Sequence, residues 1–398
     1  MSLLPLEDAQ RRLISAAEPL PGELLPAENA VGRFLAEPLL ARRTQPAADL
    51  SAMDGYAMRS NDLAGPWQVV GESAAGHPFA GELHAGQAIR ISTGAFMPSG
   101  NGAVLLQENA TRTGDTLSLN GEGDPDPRHI RRRGFDFSEG EELLCAGQRV
   151  GPAQLALAIS GGHGQLSVHA LPSVAILDSG DELASDPANC AAHQIPPSNG
   201  AMLAAMAQPS ASSITRLGPV PDRMDAMLDA LRRASDADVI VTSGGASVGD
   251  HDLVRPALEQ WGAAIDFWKV AIRPGKPLLI ARKGPQWIVG LPGNPVSSYV
   301  TGFLFLLPLL RRLAGSRDPL PRAVDLVSGT ALSENGHRAT FLRARVEGGR
   351  AVPLHEQDSS GLMAMAHADA LIYRPSDDAP VEQGGQVPVY LLQNGGIA

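Results

Sequence analysis

Between Leu171 and Leu313 the chain alternates short, unbroken apolar runs with glycine-rich loops and helical stretches. Val174-Ala-Ile-Leu177 runs into Asp178-Ser-Gly-Asp-Glu-Leu183, and Asp238-Val-Ile-Val-Thr242 runs into Ser243-Gly-Gly-Ala-Ser-Val-Gly-Asp250. Ser198-Asn199 can cap a helix through Ala207, and Arg223 to Ala234 and Leu253 to Trp261 have helical spacing. Pro277-Leu-Leu-Ile280 and Trp287-Ile-Val-Gly290 pair around Lys283-Gly284. Strands that are apolar on both faces, interleaved with helices, require a sheet covered on both sides, which predicts a parallel α/β sheet. Ligands of such sheets sit beyond the carboxyl ends of the strands. The chemistry is therefore expected in the loops after Leu177, Thr242 and Leu291.

The flanks have a different texture. Leu6 to Ala17 carries Leu6, Ala9, Leu13, Ile14 and Ala17 on one helical stripe. From about Ala47 to Arg149, short apolar runs are broken by Gly, Pro and Asn. Trp67–Gly71, Gln87–Ile91, Ala103–Gln107 and Thr116–Leu119 predict strands of a β-rich insert. Ser316 to Pro321 (SRDPLP) is a linker. Beyond it Ala323–Val327, Thr340–Val346, Ala370–Tyr373 and Gln386–Leu391 predict a small all-β domain. With 398 residues, several domains are expected, because single cores stop growing well below that length.

Composition removes several classes of function. The chain has 43 acids against 32 bases and a formal net charge of −11, with no polybasic run, so neither nucleic acid nor an anionic membrane is the expected partner. Tyr299 to Leu310, the longest apolar stretch at 12 residues, contains Pro308; it is too short to span a bilayer and predicts a buried core helix. Met1 to Arg12 carries acids and is not a signal peptide, which makes a cytoplasmic location the expectation. Cys145 and Cys190 exclude a disulfide framework and are expected to be small buried hydrophobes. Of the 32 bases only three are Lys, and Lys269, Lys276 and Lys283 fall within 15 residues of each other.

Thr242 to Asp252 is the most informative loop. Three glycines and three hydroxyl residues after a buried strand let the backbone approach an anion closely, which makes Ser243, Gly244, Gly245 and Ser247 candidate ligands of a phosphate. Asp250 and Asp252 add carboxylates there, and carboxylates beside a phosphate imply a divalent cation between them, Mg²⁺. Ser179-Gly-Asp-Glu-Leu183 repeats this logic: Asp181 or Glu182 can ligate a metal or hold a substrate amine, and first-turn acids of a helix explain the motif equally well. Ala271-Ile-Arg-Pro-Gly-Lys-Pro277 gathers Arg273 and Lys276 around a rigid turn, with Lys269 just upstream, as an electropositive pocket. Lys269 and Lys276 mark places where a compact ammonium is wanted; Lys283, at a hairpin tip, does not. Gly290-Leu-Pro-Gly-Asn-Pro-Val-Ser-Ser298 leaves a strand for a helix, with Asn294 and Ser297 available to a phosphate or a heterocycle edge. In the insert, Asp54, Thr93 and Asp136 are the polar residues able to reach a site, while Arg131-Arg-Arg133 reads as a solvated face.

Taken together, SAMDGYA, ISTGA, RRRGFD, SGDEL, TSGGASVGDHD, RPGKPL and GLPGNPVSS occur in the order and spacing of molybdopterin molybdenumtransferases, and the chain resembles that family, with the gephyrin E domain, over nearly its whole length. The resemblance implies an α/β plus β fold in an elongated, multidomain subunit: an N-terminal linking domain (1–47 and 139–170), a β-rich inserted domain (48–138), a central doubly wound α/β molybdopterin-binding domain (171–317) and a C-terminal small β-barrel domain (318–398). It implies a Mg²⁺-dependent transferase that inserts molybdate into adenylylated molybdopterin, releases AMP and forms molybdenum cofactor. The homodimer it implies builds each site from the α/β domain of one subunit and the insert of the other. Molybdopterin adenylyltransferase, apo-molybdoenzymes and their chaperones are the implied protein partners.

Residue by residue, the resemblance places acids of the site at Asp54, Asp136, Glu182, Asp222 and Asp252. Thr93, Lys269, Arg273, Lys276, Pro292 and Pro295 surround the cleft, and Arg343 and Ser359 come from the tail. Glu182, Asp250 and Asp252 are the expected metal ligands. Pro196-Pro197 stands where the family usually has polar residues, Arg273 where Lys is common, and Asn101-Gly-Ala103 lacks a frequent Asp. Two other functions are open. One is a molybdopterin adenylyltransferase, whose fold resembles the segment from about Leu171 to Arg317; the other is a non-catalytic scaffold of the gephyrin kind.

Overall fold

The structure, a computed structural model, describes residues 3–99, 102–244 and 253–392. Its central sheet has six strands in the order Ser213–Val220, Ser173–Ser179, Val239–Ser243, Gln286–Leu291, Leu279–Lys283 and Ala264–Trp268. The first four run parallel, with every residue of Val239–Ser243 and Gln286–Leu291 buried, as strands covered on both faces must be. The last two are antiparallel, so the sheet is mixed rather than parallel throughout. The cause is local: Lys283 pairs with Gln286 across a tight hairpin, and a hairpin can join only antiparallel strands.

One face of the sheet packs on Leu6–Ala16, Ser198–Ala207 and the long helix Pro295–Leu313, and the other on Met224–Arg233 and Val254–Gln260. The long helix meets the length and composition of a membrane span, but 89% of its apolar window is buried inside the protein, which makes it a core helix. It contains a π turn at Gly302–Leu306. Pro308 has no N–H to offer the carbonyl four residues before it, and Gln10 donates to that carbonyl, Leu304 O, at 3.0 Å. This explains why Gln10 is buried on the first helix together with Leu6, Ala9 and Leu13.

Around this core the chain builds three further pieces. Gly22–Pro26 pairs with Gln165–His169, and Leu39–Leu40 with Glu142–Leu144, so the segments before and after the insert close on each other. The insert is a six-stranded sheet ordered Gly102–Leu106, Gly55–Arg59, Gln87–Ile91, Trp67–Ser73, Thr116–Leu119 and Ala110–Thr113. In the tail, Ala339–Glu347, Arg350–Pro353, Val324–Ser328, Gln386–Leu391 and Ala370–Arg374 pair in turn, and the last closes back on the first as a five-stranded barrel.

Two local expectations are corrected. Cys145 and Cys190 are half-buried, and each thiol faces polar atoms, Gln148 and Arg317 for Cys145 and backbone carbonyls for Cys190. Ser198 does not cap the helix Ser198–Ala207; the Gly200 N–H is taken instead by the Asp178 carboxylate of the neighbouring strand.

Candidate functional site

The parallel strands end flush, with Asp178 opposite Ser243 and Ser243 opposite Leu291. The chain passes from Ser173–Ser179 to one neighbour and then to the other, and this reversal leaves a crevice at those ends. The loops that leave the three strands touch there through glycines. At Gly244, φ is +95° and a Cβ would lie 2.9 Å from the Ser179 carbonyl oxygen. At Gly180, φ is +145° and a Cβ would lie 2.4 Å from Glu182 Oε2, so the Glu182 carboxylate folds back over this turn. Only glycine combines that backbone with so close an approach. Thr242 Oγ1, buried near the end of its strand, has no hydrogen-bond partner among the described residues. Gly245, Ser247, Asp250 and Asp252 lie outside the described residues.

The acids group by element. Asp222 follows the strand Ser213–Val220 and is bound reciprocally to Asp181, whose N–H donates to Asp222 Oδ2 at 3.3 Å while the Asp222 N–H donates to Asp181 Oδ1 at 3.1 Å. Glu182 is the next residue, so three carboxylates of one wall are exposed to solvent together. Hard oxygen donors of this type suit Mg²⁺. Among the described residues no group of three or more acids, His or Cys converges closely enough to hold a metal by itself. In the insert, Asp54 Oδ1 accepts the Thr93 N–H at 2.8 Å, which joins the MDGYA and STGA motifs. Asp136 is exposed on a separate loop, and none of these three borders the cavities described next. Of the adjacent arginines, Arg132 pairs with Asp49.

A cavity of ≈ 480 Å³ opens between the α/β sheet and the barrel. Its position follows from Ile272–Arg273, which adds a short parallel strand to the barrel strand Ala339–Glu347. The turn that follows is seated on the long helix, because at Gly275 φ is +102° and a Cβ would fall 2.5 Å from Thr301 Cγ2. Arg273, Lys276, Ser297 and Ser359 all line this cavity. The N-terminus of the long helix is latched to the barrel loop, with Asn294 Nδ2 donating to Ser359 Oγ at 3.0 Å and the Val296 N–H to the Ser359 carbonyl at 3.1 Å. Pro292 and Pro295 flank that latch.

Two expected residues occupy different places. Lys269 sets its ammonium 4.2 Å from the centre of the Trp268 ring and is absent from the cavity lining. Arg343 is 1% exposed and donates to the carbonyls of Glu356 and Asp358 at 2.8 and 2.9 Å, so it holds the loop that carries Ser359 rather than the cavity itself. Sequence reasoning missed Arg338, which lines the cavity beside Arg273 and Lys276. A lone Arg after Asn335-Gly-His337 carries no local signal. Among the described residues no carboxylate forms an ion pair with Arg273, Lys276 or Arg338, although Glu334 and Asp358 also line the cavity, so its cations outnumber its acids.

A second cavity, of ≈ 510 Å³, lies at the outer end of the same sheet and is walled by Pro196, Pro197, Ser198 and Pro219. Asp178 lines it, 4% exposed, with Arg216 Nη2 3.2 Å from its carboxylate. Burial pushes the Asp178 carboxyl above its ordinary range, against the hydrogen bond and charge of Arg216 and the Gly200 N–H. Asn199 Nδ2 donates to the Gly293 carbonyl at 2.6 Å and ties this cavity's wall to the loop after Leu291.

A β-rich insert, an anion-lined α/β crevice and a closing barrel define a three-part class of chain, and the same division is found in known families. Residues 4–162 match the "MoeA N-terminal region (domain I and II)", residues 175–312 the "Probable molybdopterin binding domain" and residues 325–392 the "MoeA C-terminal region (domain IV)". The molybdopterin molybdenumtransferase of Haemophilus influenzae is 35% identical over 319 residues, 79% of this chain and 79% of its own. That of a Nostoc species is 33% identical over 383 residues, covering 91% and 87%. A crystal structure of the molybdopterin biosynthesis moeA protein from Pyrococcus horikoshii superposes with a TM-score of 0.84 at 25% identity, covering 98% of this chain and 100% of that one. The chain belongs to the molybdopterin molybdenumtransferase family.

Proposed function

We propose that this chain inserts molybdate into adenylylated molybdopterin, with release of AMP, to form molybdenum cofactor. The observation that carries the proposal is the cavity whose Arg273, Lys276 and Arg338 have no carboxylate partner among the described residues, in a chain of this family. These three cations, free of ion pairs, outnumber Glu334 and Asp358 on the cavity wall and concentrate a dianion such as molybdate although the whole surface is acidic. Ser297 and Ser359 donate hydroxyls to its oxygens, and Arg343 fixes Ser359 in place. The pterin side of the substrate takes the second cavity, where proline walls accept a flat ring and Asp178 faces its amino groups. Gly244 and its loop approach the phosphates. Water adds across the phosphoanhydride and AMP leaves; molybdenum then bonds to the two dithiolene sulfurs, and one oxide of molybdate departs as water with the two thiol protons, or with two protons from solvent where a copper ion is displaced and released. Mg²⁺ would be held by Glu182 with Asp250 and Asp252 and would polarise the anhydride. Asp54 and Asp136 act from the insert of a partner subunit in a homodimer, which accounts for their distance from both cavities. The cytoplasm is the proposed location.

Activation of an apo-molybdoenzyme by wild type and by Lys276→Ala tests the proposal. Wild type should restore activity in a molybdate-dependent way, and the variant should lose about 10²–10³-fold, the scale of removing one charge-stabilising donor. Lys276→Arg keeps the charge and separates the need for an ammonium from the need for any cation. Consumption of ATP without a requirement for molybdate would assign the chain to adenylyl transfer instead.

A further inference from the structure

A third cavity, of ≈ 340 Å³, lies where three segments meet: the stretch around Arg149, the last turn of the long helix at Arg311, and the linker that carries Arg317, Asp318 and Arg322. It shares no lining residue with the cavity at Lys276. Four guanidinium groups border it against one carboxylate, in a chain whose net charge is −11. Asp318 Oδ2 is already divided between Arg317, at 3.3 Å, and Arg322, at 3.2 Å. Among the described residues no carboxylate pairs with Arg149.

We propose that this cavity is a binding site for a phosphate-class dianion, separate from the molybdate-inserting centre. Arg311 is 3% exposed, and desolvation, reinforced by the charge of Arg149, lowers its pKa to about 10. Arg149, Arg317 and Arg322 are exposed around it, and like charges gathered at one cavity repel each other unless an anion comes between them. Planar guanidinium forks match the oxygens of a phosphate two at a time, which an array of lysines would not do. The space holds the tetrahedral group with or without an attached nucleoside. A dianion here would tie the linker 316–322 to the segment 147–149 and so brace the joint from which the barrel departs.

The test is calorimetric titration of the full chain with inorganic phosphate, and separately with AMP, at constant ionic strength made up with chloride. The proteins compared are wild type, Arg149→Gln, Arg322→Gln and Lys276→Ala. Saturable binding of phosphate is expected in wild type and in Lys276→Ala, weakened about tenfold, or 1.4 kcal/mol, in each arginine variant. Both arginine variants should insert molybdate at the wild-type rate. AMP that binds more tightly than phosphate with the same arginine dependence would make the natural ligand a nucleotide; AMP that needs Lys276 instead would make it free phosphate. Phosphate binding that is absent from wild type, or unaffected by both arginine variants, overturns the proposal.

Discussion

Gly244 shows what a single residue can decide. Its φ of +95° and the carbonyl of Ser179, 2.9 Å from where a Cβ would stand, leave no room for a side chain where two loops of the crevice touch. Gly244→Ala should cost about 1–3 kcal/mol, the usual range for a strained backbone, and should also lower turnover because the loops are forced apart. Urea unfolding with a parallel activity assay reads both effects. Asp178 makes a prediction about pH. Burial raises its carboxyl in the folded chain, so its favourable contribution is complete below the unfolded value near about 4 and is lost as pH rises through the higher folded value. The stability difference between wild type and Asp178→Asn should therefore shift against wild type as pH rises above about 4. Parallel stability curves would show that the carboxylate is not penalised.

At the scale of elements, the loop that carries Ser359 depends on Arg343. Methionine would fill the same volume and donate to neither Glu356 nor Asp358, leaving two carbonyls that Arg343 now satisfies at 2.8 and 2.9 Å. Arg343→Met should lose about 2–4 kcal/mol of stability and raise KM for molybdate more than it lowers kcat. An unchanged KM would separate the loop from molybdate binding. The same scale shows what the sequence can express. Unbroken runs such as Val239–Ser243 announced buried strands, and glycine-rich loops announced where the backbones approach. Arg350–Pro353 stayed hidden because its four residues follow two glycines and end in proline, signals that oppose a strand. Gln10 lay on a helix stripe, but its reason lies 294 residues away, at a carbonyl that Pro308 cannot serve. Arg338 and Arg343 look alike as isolated residues; only the barrel closure decides which faces the cavity and which braces its wall.

At the scale of the whole molecule, the three lysines acquire separate meanings. Lys276 faces the cavity, Lys269 rests on Trp268, and Lys283 lies 3.6 Å from the centre of the Trp261 ring at the hairpin. Their clustering marks one edge of the sheet rather than one pocket. Asp54 and Thr93 are joined to each other but stand apart from the cavity at Lys276, which fits a site completed by the insert of a second subunit. Mixing Asp54→Ala with Lys276→Ala, each inactive alone, should then restore about a quarter of wild-type activity through exchange of subunits in a two-fold dimer. No recovery after verified exchange would place each whole site within one chain. The most direct measurement is AMP release from adenylylated molybdopterin with and without molybdate, by wild type and by Asp252→Asn. Molybdate-dependent release by wild type, abolished in the variant, is the predicted result; release that ignores molybdate, or wild-type turnover by Asp252→Asn, would contradict the account.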